Sequence, residues 1–383
     1  MSWKHLFGRA LAAAPGRLHV AAHSHHLWPD VTREAQLAAW EDGVTLADHK
    51  WGKIFGELVP AVQAGIAAEL GLPAPDSLAF APNTHEFIVR LVSAVQRRPV
   101  RVLATDGEFH SFRRQAARWV ESGDIKLEAV ATDPWESFAD RFADRARSGD
   151  HDLVFASHVF FKTGRVFERL LDLAHLSRPD GPWLVIDGYH GFMAMPTDLS
   201  AVADRVFYTA GGYKYAMVGE GAAFLHVPPG FGPRPVSTGW YAEFEDLTAP
   251  ADAVGYAPDG RRFLGATFDP SGLYRLAAVF DLYRREGLTT AAVSAHVEAL
   301  QRQLVAGLSG PLAAAELLNP IDGAPHARFL AFRHPDAPAW KAALDAAHVV
   351  TDVRDDVLRV GLGPYHDAGD VDRFLGIARR VLA

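Results

Sequence analysis

Lys214 and Asp187 stand where a sequence can support covalent chemistry. The segment Thr209-Ala210-Gly211-Gly212-Tyr213-Lys214-Tyr215 ends an apolar run in small residues, then presents Lys214 close to Met217 and Val218. An amine in apolar surroundings is partly desolvated, which lowers its pKa and suits Schiff-base formation. Asp187 directly follows Leu184-Val185-Ile186, at the carboxyl end of a predicted strand, the edge where open α/β sheets bind ligands. A carboxylate there can hold a pyridinium nitrogen protonated and make the ring an electron sink. Taken singly, a loop lysine is an ordinary surface residue and a strand-end aspartate an ordinary turn residue. It is the pair that points to chemistry.

Other candidates are spread along the chain. Pro82-Asn83-Thr84-His85-Glu86 opens a helical pattern. A helix start offers free N–H groups to an anion, although Asn83 or Thr84 also suits a plain N-cap. Phe109, in Glu108-Phe109-His110-Ser111, reads by itself as a core residue. Arg359, in Leu358-Arg359-Val360, reads by itself as a surface ion-pair residue. His23, His25 and His26 invite a metal reading, because residues 23 and 25 would share a strand face and histidine suits zinc or nickel. No carboxylate stands at a ligand spacing beside them and cysteine is missing, so no metal is expected. No G-x-x-x-x-G-K-[ST] occurs, and Gly219-Glu220-Gly221 lacks the third glycine of a dinucleotide fingerprint.

The elements that must position these residues read as α/β. Short apolar runs at 77–80, 100–104, 153–156, 184–186, 206–208 and 222–227 alternate with amphipathic stretches, the pattern of a mostly parallel sheet buried on both faces. After Asn83, the apolar residues Phe87, Ile88, Leu91, Val92 and Val95 mark one helix face. The Pro/Gly-rich passage 228–233 begins the exit from this large domain. Two long helical patterns follow Gly272. A small α+β unit then alternates: strand near Phe329, helix from Trp340, strands near Val350 and Leu358, and a helix from Val371.

Composition bounds the function. The 383 residues are 49% hydrophobic and 22% charged, ordinary for a globular protein. With 38 basic against 46 acidic residues the net charge is −8, which argues against sequence-independent nucleic-acid binding. The absence of cysteine excludes a disulfide framework, a thiolate metal site and a catalytic thiol. No run reaches the ~20 apolar residues of a membrane span, and the charged opening Met1-Ser2-Trp3-Lys4-His5 makes a poor signal peptide. A cytoplasmic enzyme without a membrane or nucleic-acid partner is the expectation.

Val185-Ile186-Asp187-Gly188-Tyr189-His190, followed by Gly212-Tyr213-Lys214, resembles the pyridoxal-phosphate site of the class V aminotransferase superfamily, and within it kynureninase. The likeness runs along nearly the whole chain. It includes Ala22-His23-Ser24-His25-His26-Leu27-Trp28-Pro29, Phe160-Phe161-Lys162-Thr163-Gly164, Gly239-Trp240-Tyr241 and Arg262-Phe263-Leu264-Gly265-Ala266-Thr267. It implies fold type I: a large cofactor-binding α/β domain over 56–240 with a mostly parallel, seven-stranded-type sheet. Residues 1–55 and 241–383 would then form the N-terminal segment and a smaller α+β domain.

The resemblance also implies roles. Lys214 would carry pyridoxal 5'-phosphate as a Schiff base, Asp187 would pair with the pyridine nitrogen, and His190 would lie by the ring. Phe109 would stack on that ring. Asn83, Thr84, Ser111 and Tyr213 would hold the phosphate, with Thr267 reaching the phosphate of a neighbouring subunit in a homodimer with shared sites. Arg359 would take the carboxylate of an α-amino acid substrate, with Ser24, His25 and Tyr241 around it.

The departures fall at the substrate end. His25-His26 replaces a Leu-Gly pair, Tyr241 replaces a tryptophan, and Ala242-Glu243 replaces Gly-His. The expected reaction is therefore kynureninase-like hydrolysis of a β,γ C–C bond in a substrate other than kynurenine. The alternative is transfer of an amino group to a keto acid. A non-catalytic cofactor-binding regulator is a third reading, and joint retention of Lys214, Asp187 and Arg359 speaks against it. Persulfide chemistry of the cysteine desulfurases would need a thiol that this chain lacks.

Overall fold

The computed structural model describes residues 2–246, 250, 253–322 and 325–382. A short strand β1 (Leu18–His19) precedes the strands of a seven-stranded sheet. These are β2 (Leu78–Ala81), β3 (Val100–Thr105), β4 (Ile125–Val130), β5 (Leu153–Ser157), β6 (Trp183–Asp187), β7 (Val206–Gly211) and β8 (Ala223–His226). Their order is β2-β8-β7-β6-β5-β3-β4. Only β8 runs against its neighbours; every other pairing is parallel.

Alternation along each strand sends side chains to opposite faces. Leu184, Ile186, Tyr208 and Phe224 pack on one face, and Val185, Phe207 and Leu225 on the other. Both faces are covered, which is why these strands read as unbroken apolar runs. β4 is the exception, absent from the runs picked out by apolarity. It pairs only with β3 at the sheet edge, and Lys126, Leu127 and Ala129 are exposed along it.

A second sheet, antiparallel and ordered β12-β13-β10-β9, is built from β9 (Glu316–Leu317), β10 (Phe329–Arg333), β12 (Asp352–Arg354) and β13 (Val357–Gly361). Helices Thr290–Ala306, Ala337–Ala346 and Ala368–Val381 share an apolar core with it, centred on Leu300, Leu330, Trp340, Val360 and Phe374. β1 joins this body through a parallel pairing with β11 (Val349–Val350), setting Leu18 against Val349 and His19 against Val350. Helix Val31–Leu46, for which the sequence offered no expectation, packs along Ser271–Glu286. Among the described residues no helix is long and apolar enough to cross a membrane.

Candidate active site

The parallel strands β5, β6 and β7 end side by side, with Ser157 in register with Asp187 and Asp187 with Thr209. At that edge lies a cavity of about 230 Å³, lined by Asn83, Thr84, Phe109, Ser111, Asp187, His190, Tyr213 and Lys214 among others. Eight of the residues that the resemblance assigns to the cofactor thus meet in one place, drawn from four separate stretches of chain.

Each is delivered by an identifiable local device. Asn83 has extended backbone and caps helix Thr84–Ala94, its Oδ1 accepting the Glu86 N–H at 3.2 Å. Phe87, Ile88, Leu91 and Val92 bury the inner face of that helix, so its N-terminus, with the remaining unpaired N–H groups, is held at the cavity. Phe109 immediately precedes helix His110–Ser122 and meets Phe161 edge-on at 5.2 Å. Asp187 ends β6 and accepts the Tyr189 N–H at 2.9 Å, a tight turn that also brings His190 round.

Lys214 lies just past β7, its Nζ 2.6 Å from His190 Nε2 and 5.5 Å and 5.2 Å from the ring centres of Phe109 and Tyr189. Desolvation, with the Arg359 charge second, pushes the Lys214 amine down to about 7. Burial holds His190 well below the usual imidazole range, reinforced by the charges of Lys214 and Arg359, so the ring facing the amine is neutral. Burial also raises Asp187, against the Tyr189 N–H and the Lys214 charge. A desolvated carboxylate of this kind gains when a cationic N–H comes to it.

The remaining predicted residues lie outside the lining. His25 reaches it indirectly, with Nδ1 3.1 Å from the Tyr213 hydroxyl. Ser24 donates to Asp352 Oδ2 at 2.8 Å. Arg359 is buried and already engaged: its Nη2 donates to Asp352 Oδ1 at 2.7 Å and its Nη1 to the Phe161 carbonyl. Tyr241 is fully buried away from the cavity, edge-on to Trp51 and Phe55 at 5.7 and 5.1 Å, because it completes the apolar cluster on one sheet face. Thr267 is exposed and accepts the Trp240 indole N–H at 3.1 Å. His23 and His26 are also buried off the cavity, His23 stacked on Phe329 at 4.6 Å. Among the described residues no group of three or more His, Asp or Glu side chains could hold a metal.

Sequence reasoning gave no role to several residues that build this site. Glu108 is fully buried behind it, accepting the hydroxyls of Thr105 and Ser157, each at 2.6 Å, and the Ser157 N–H at 3.2 Å. Burial pushes Glu108 up to about 7 against those hydrogen bonds, with Asp187 the charge that adds to the rise. Tyr189 and Phe161 line the cavity, and Tyr215 sets its hydroxyl 3.4 Å from His190 Nδ1. Their proximity in sequence to Asp187 and Lys214 was the available signal for Tyr189 and Tyr215, and the family-like stretch 160–164 for Phe161; Glu108, beside Phe109, had none pointing inward.

Comparison with known proteins gives three findings. Residues 293–377 match the kynureninase C-terminal domain. Isopenicillin N epimerase of Streptomyces clavuligerus is 29% identical over 199 residues, 49% of this chain and 49% of that protein, so the match spans about half of that relative. Among solved structures, a cystine C–S lyase in complex with cysteine persulfide superposes with a TM-score of 0.81 at 17% identity, covering 96% of this chain and 99% of the other. An apo cysteine desulfurase from Thermococcus onnurineus gives 0.81 at 18% identity, covering 100% and 98%. At such identities the superpositions establish a shared fold.

Proposed function

We propose that the chain is a pyridoxal-phosphate-dependent enzyme of the class V aminotransferase-like superfamily, a reading supported by the matches to the kynureninase C-terminal domain and to the epimerase, and that it binds pyridoxal 5'-phosphate through Lys214 and acts on an α-amino acid. One observation carries the reading. A single cavity gathers an amine lowered towards neutrality, a desolvated carboxylate, the exposed Phe109 ring and a helix N-terminus. That donor set fits the group. Asp187 suits a protonated ring nitrogen, Phe109 a ring face, and the helix start at Thr84 with Ser111 and Tyr213 a phosphate. When bound, the cofactor supplies an electron sink for the bonds at the substrate's α-carbon.

The chain's own residues supply the rest. An amine near pH 7 exists substantially as free base, so Lys214 can both attack a carbonyl carbon and carry a proton. Neutral His190 at 2.6 Å can share that proton, and the Tyr215 hydroxyl fixes its ring. Arg359 keeps guanidinium N–H groups beyond those given to Asp352 and Phe161, enough to meet a substrate carboxylate.

The reaction we favour is kynureninase-like hydrolysis, supported by the match over 293–377. The relative named as an epimerase favours a second reading, in which the α-proton is removed and returned with no carbon–carbon cleavage. Incubating loaded protein with an amino-acid panel separates them. Alanine release from an aryl-ketone amino acid supports hydrolysis, and accumulation of the D-isomer supports epimerisation. Pyridoxamine phosphate with a keto acid would show transamination instead. Borohydride treatment followed by peptide mass spectrometry should place the pyridoxyl label on Lys214, and a label elsewhere refutes the assignment.

A further inference from the structure

A second cavity, of about 260 Å³, lies beside the first, and Phe161 lines both. Its wall carries Arg113, Lys162, Arg165, Arg333 and Arg354, with the carboxylates of Asp106, Asp133 and Asp355 among them. Three of the cations are committed. Lys162 pairs with Asp355 at 2.9 Å, Arg165 with Asp133 at 3.3 Å and Arg333 with Glu316 at 3.1 Å.

Two differ. Arg113 makes no ion pair within 4 Å among the described residues. Arg354 shares its partner: Asp352 gives Oδ2 to Arg354 at 3.1 Å and Oδ1 to Arg359 at 2.7 Å. Two guanidiniums on one carboxylate leave a positive charge over. The Arg354 Nε is also buried with no acceptor, a cost that an added acceptor would relieve. The Arg354 charge is felt by Lys214, His190 and Tyr213, depressing the proton affinity of each. It therefore lies within electrostatic reach of the amine, on the wall of the second cavity.

We propose that the second cavity is a subsite for an anionic group on the substrate's side chain. Arg359 takes the α-carboxylate, while Arg354, with Arg113, takes a second carboxylate. The substrate class is thus an α-amino acid whose side chain carries a second carboxylate, which the β-acyl substrate of the hydrolytic reading can bear as well. This rests on the reading of the first cavity as an amino-acid-processing centre.

The test titrates the loaded protein with L-aspartate and L-glutamate against their near-isosteric amides, L-asparagine and L-glutamine, following the cofactor absorbance. At least one acid should bind about tenfold or more tightly than its own amide, the scale of one charge-assisted hydrogen bond. That ratio should shrink as salt is raised. Arg354→Gln should bring it towards one; Arg113→Gln, at an exposed position, should reduce it independently of any folding defect at Arg354. Amides that bind as well as the acids, or a ratio that survives both substitutions, overturn the subsite while leaving the first cavity's reading intact. A protein that gives no borohydride adduct on Lys214 and no spectral response to any amino acid overturns both.

Discussion

Lys214 and His190 form a contact in which burial and the Arg359 charge disfavour the cationic form of both groups. Lys214→Ala removes the amine without opening a core cavity, so we expect a protein with unchanged unfolding temperature that no longer retains a borohydride-trapped label. Asp187→Asn should fold and bind cofactor but turn over at least about 100-fold more slowly, since an amide cannot hold the ring nitrogen protonated. Steady-state rates beside a cofactor absorbance spectrum check both halves of that statement. Glu108 makes a different prediction. Glu108→Ala strands the buried hydroxyls of Thr105 and Ser157, and should cost about 1–3 kcal/mol in urea unfolding. Lys214 and Asp187 were legible in the sequence because chemistry-bearing types followed strand-like runs. Glu108 was not, because no linear pattern tells a helix-approach carboxylate to turn inward onto β5.

The same contrast holds for the elements. β6 was plain because both of its faces are covered, leaving Leu184-Val185-Ile186 uninterrupted. β4 was hidden because an edge strand spends half its length in water, so Ile125-Lys126-Leu127-Glu128-Ala129-Val130 shows no apolar run. The helix at Thr84–Ala94 was announced by its cap and one-sided apolar spacing, and its position at the cavity follows from packing that the sequence leaves open. Asn83→Ala should destabilise the protein by about 1 kcal/mol through the lost cap. It should also weaken cofactor retention, measured by dialysis, because the same helix start faces the anion. Tyr241 shows the reverse failure: the motif Gly239-Trp240-Tyr241 suggested substrate contact, yet burial against Trp51 and Phe55 claims the ring for the core.

For the whole molecule, acid should be the weak side of its stability. Burial pushes His19, His158, His226 and His366 down to about 4 and His26 to about 3. The unfolded chain protonates these rings near 6.5, so between about pH 6.5 and 4 it binds more protons than the folded chain, and stability falls as pH falls. The unfolding temperature should drop through that window, and His226→Gln should flatten the slope. Assembly is a separate proposal. Thr267 is exposed and off the cavity in its own chain, as a residue completing a neighbour's phosphate site would be. Mixing Lys214→Ala subunits with Thr267→Ala subunits should then restore one good site per mixed dimer, and a fully active monomer in sedimentation would refute sharing. The pairing of β1 with β11 has a bearing on synthesis. The strands of the large sheet all emerge before Val349 does, so that sheet can close while β1 still waits for its partner. Chain emerging from the ribosome thus carries β1 unpaired until Val349 and Val350 have been made. Proteolysis of ribosome-bound chains stalled before residue 349 should cut around Leu18 and spare β5 to β7, whereas chains long enough for β11 to leave the ribosome should be closed to the protease at both.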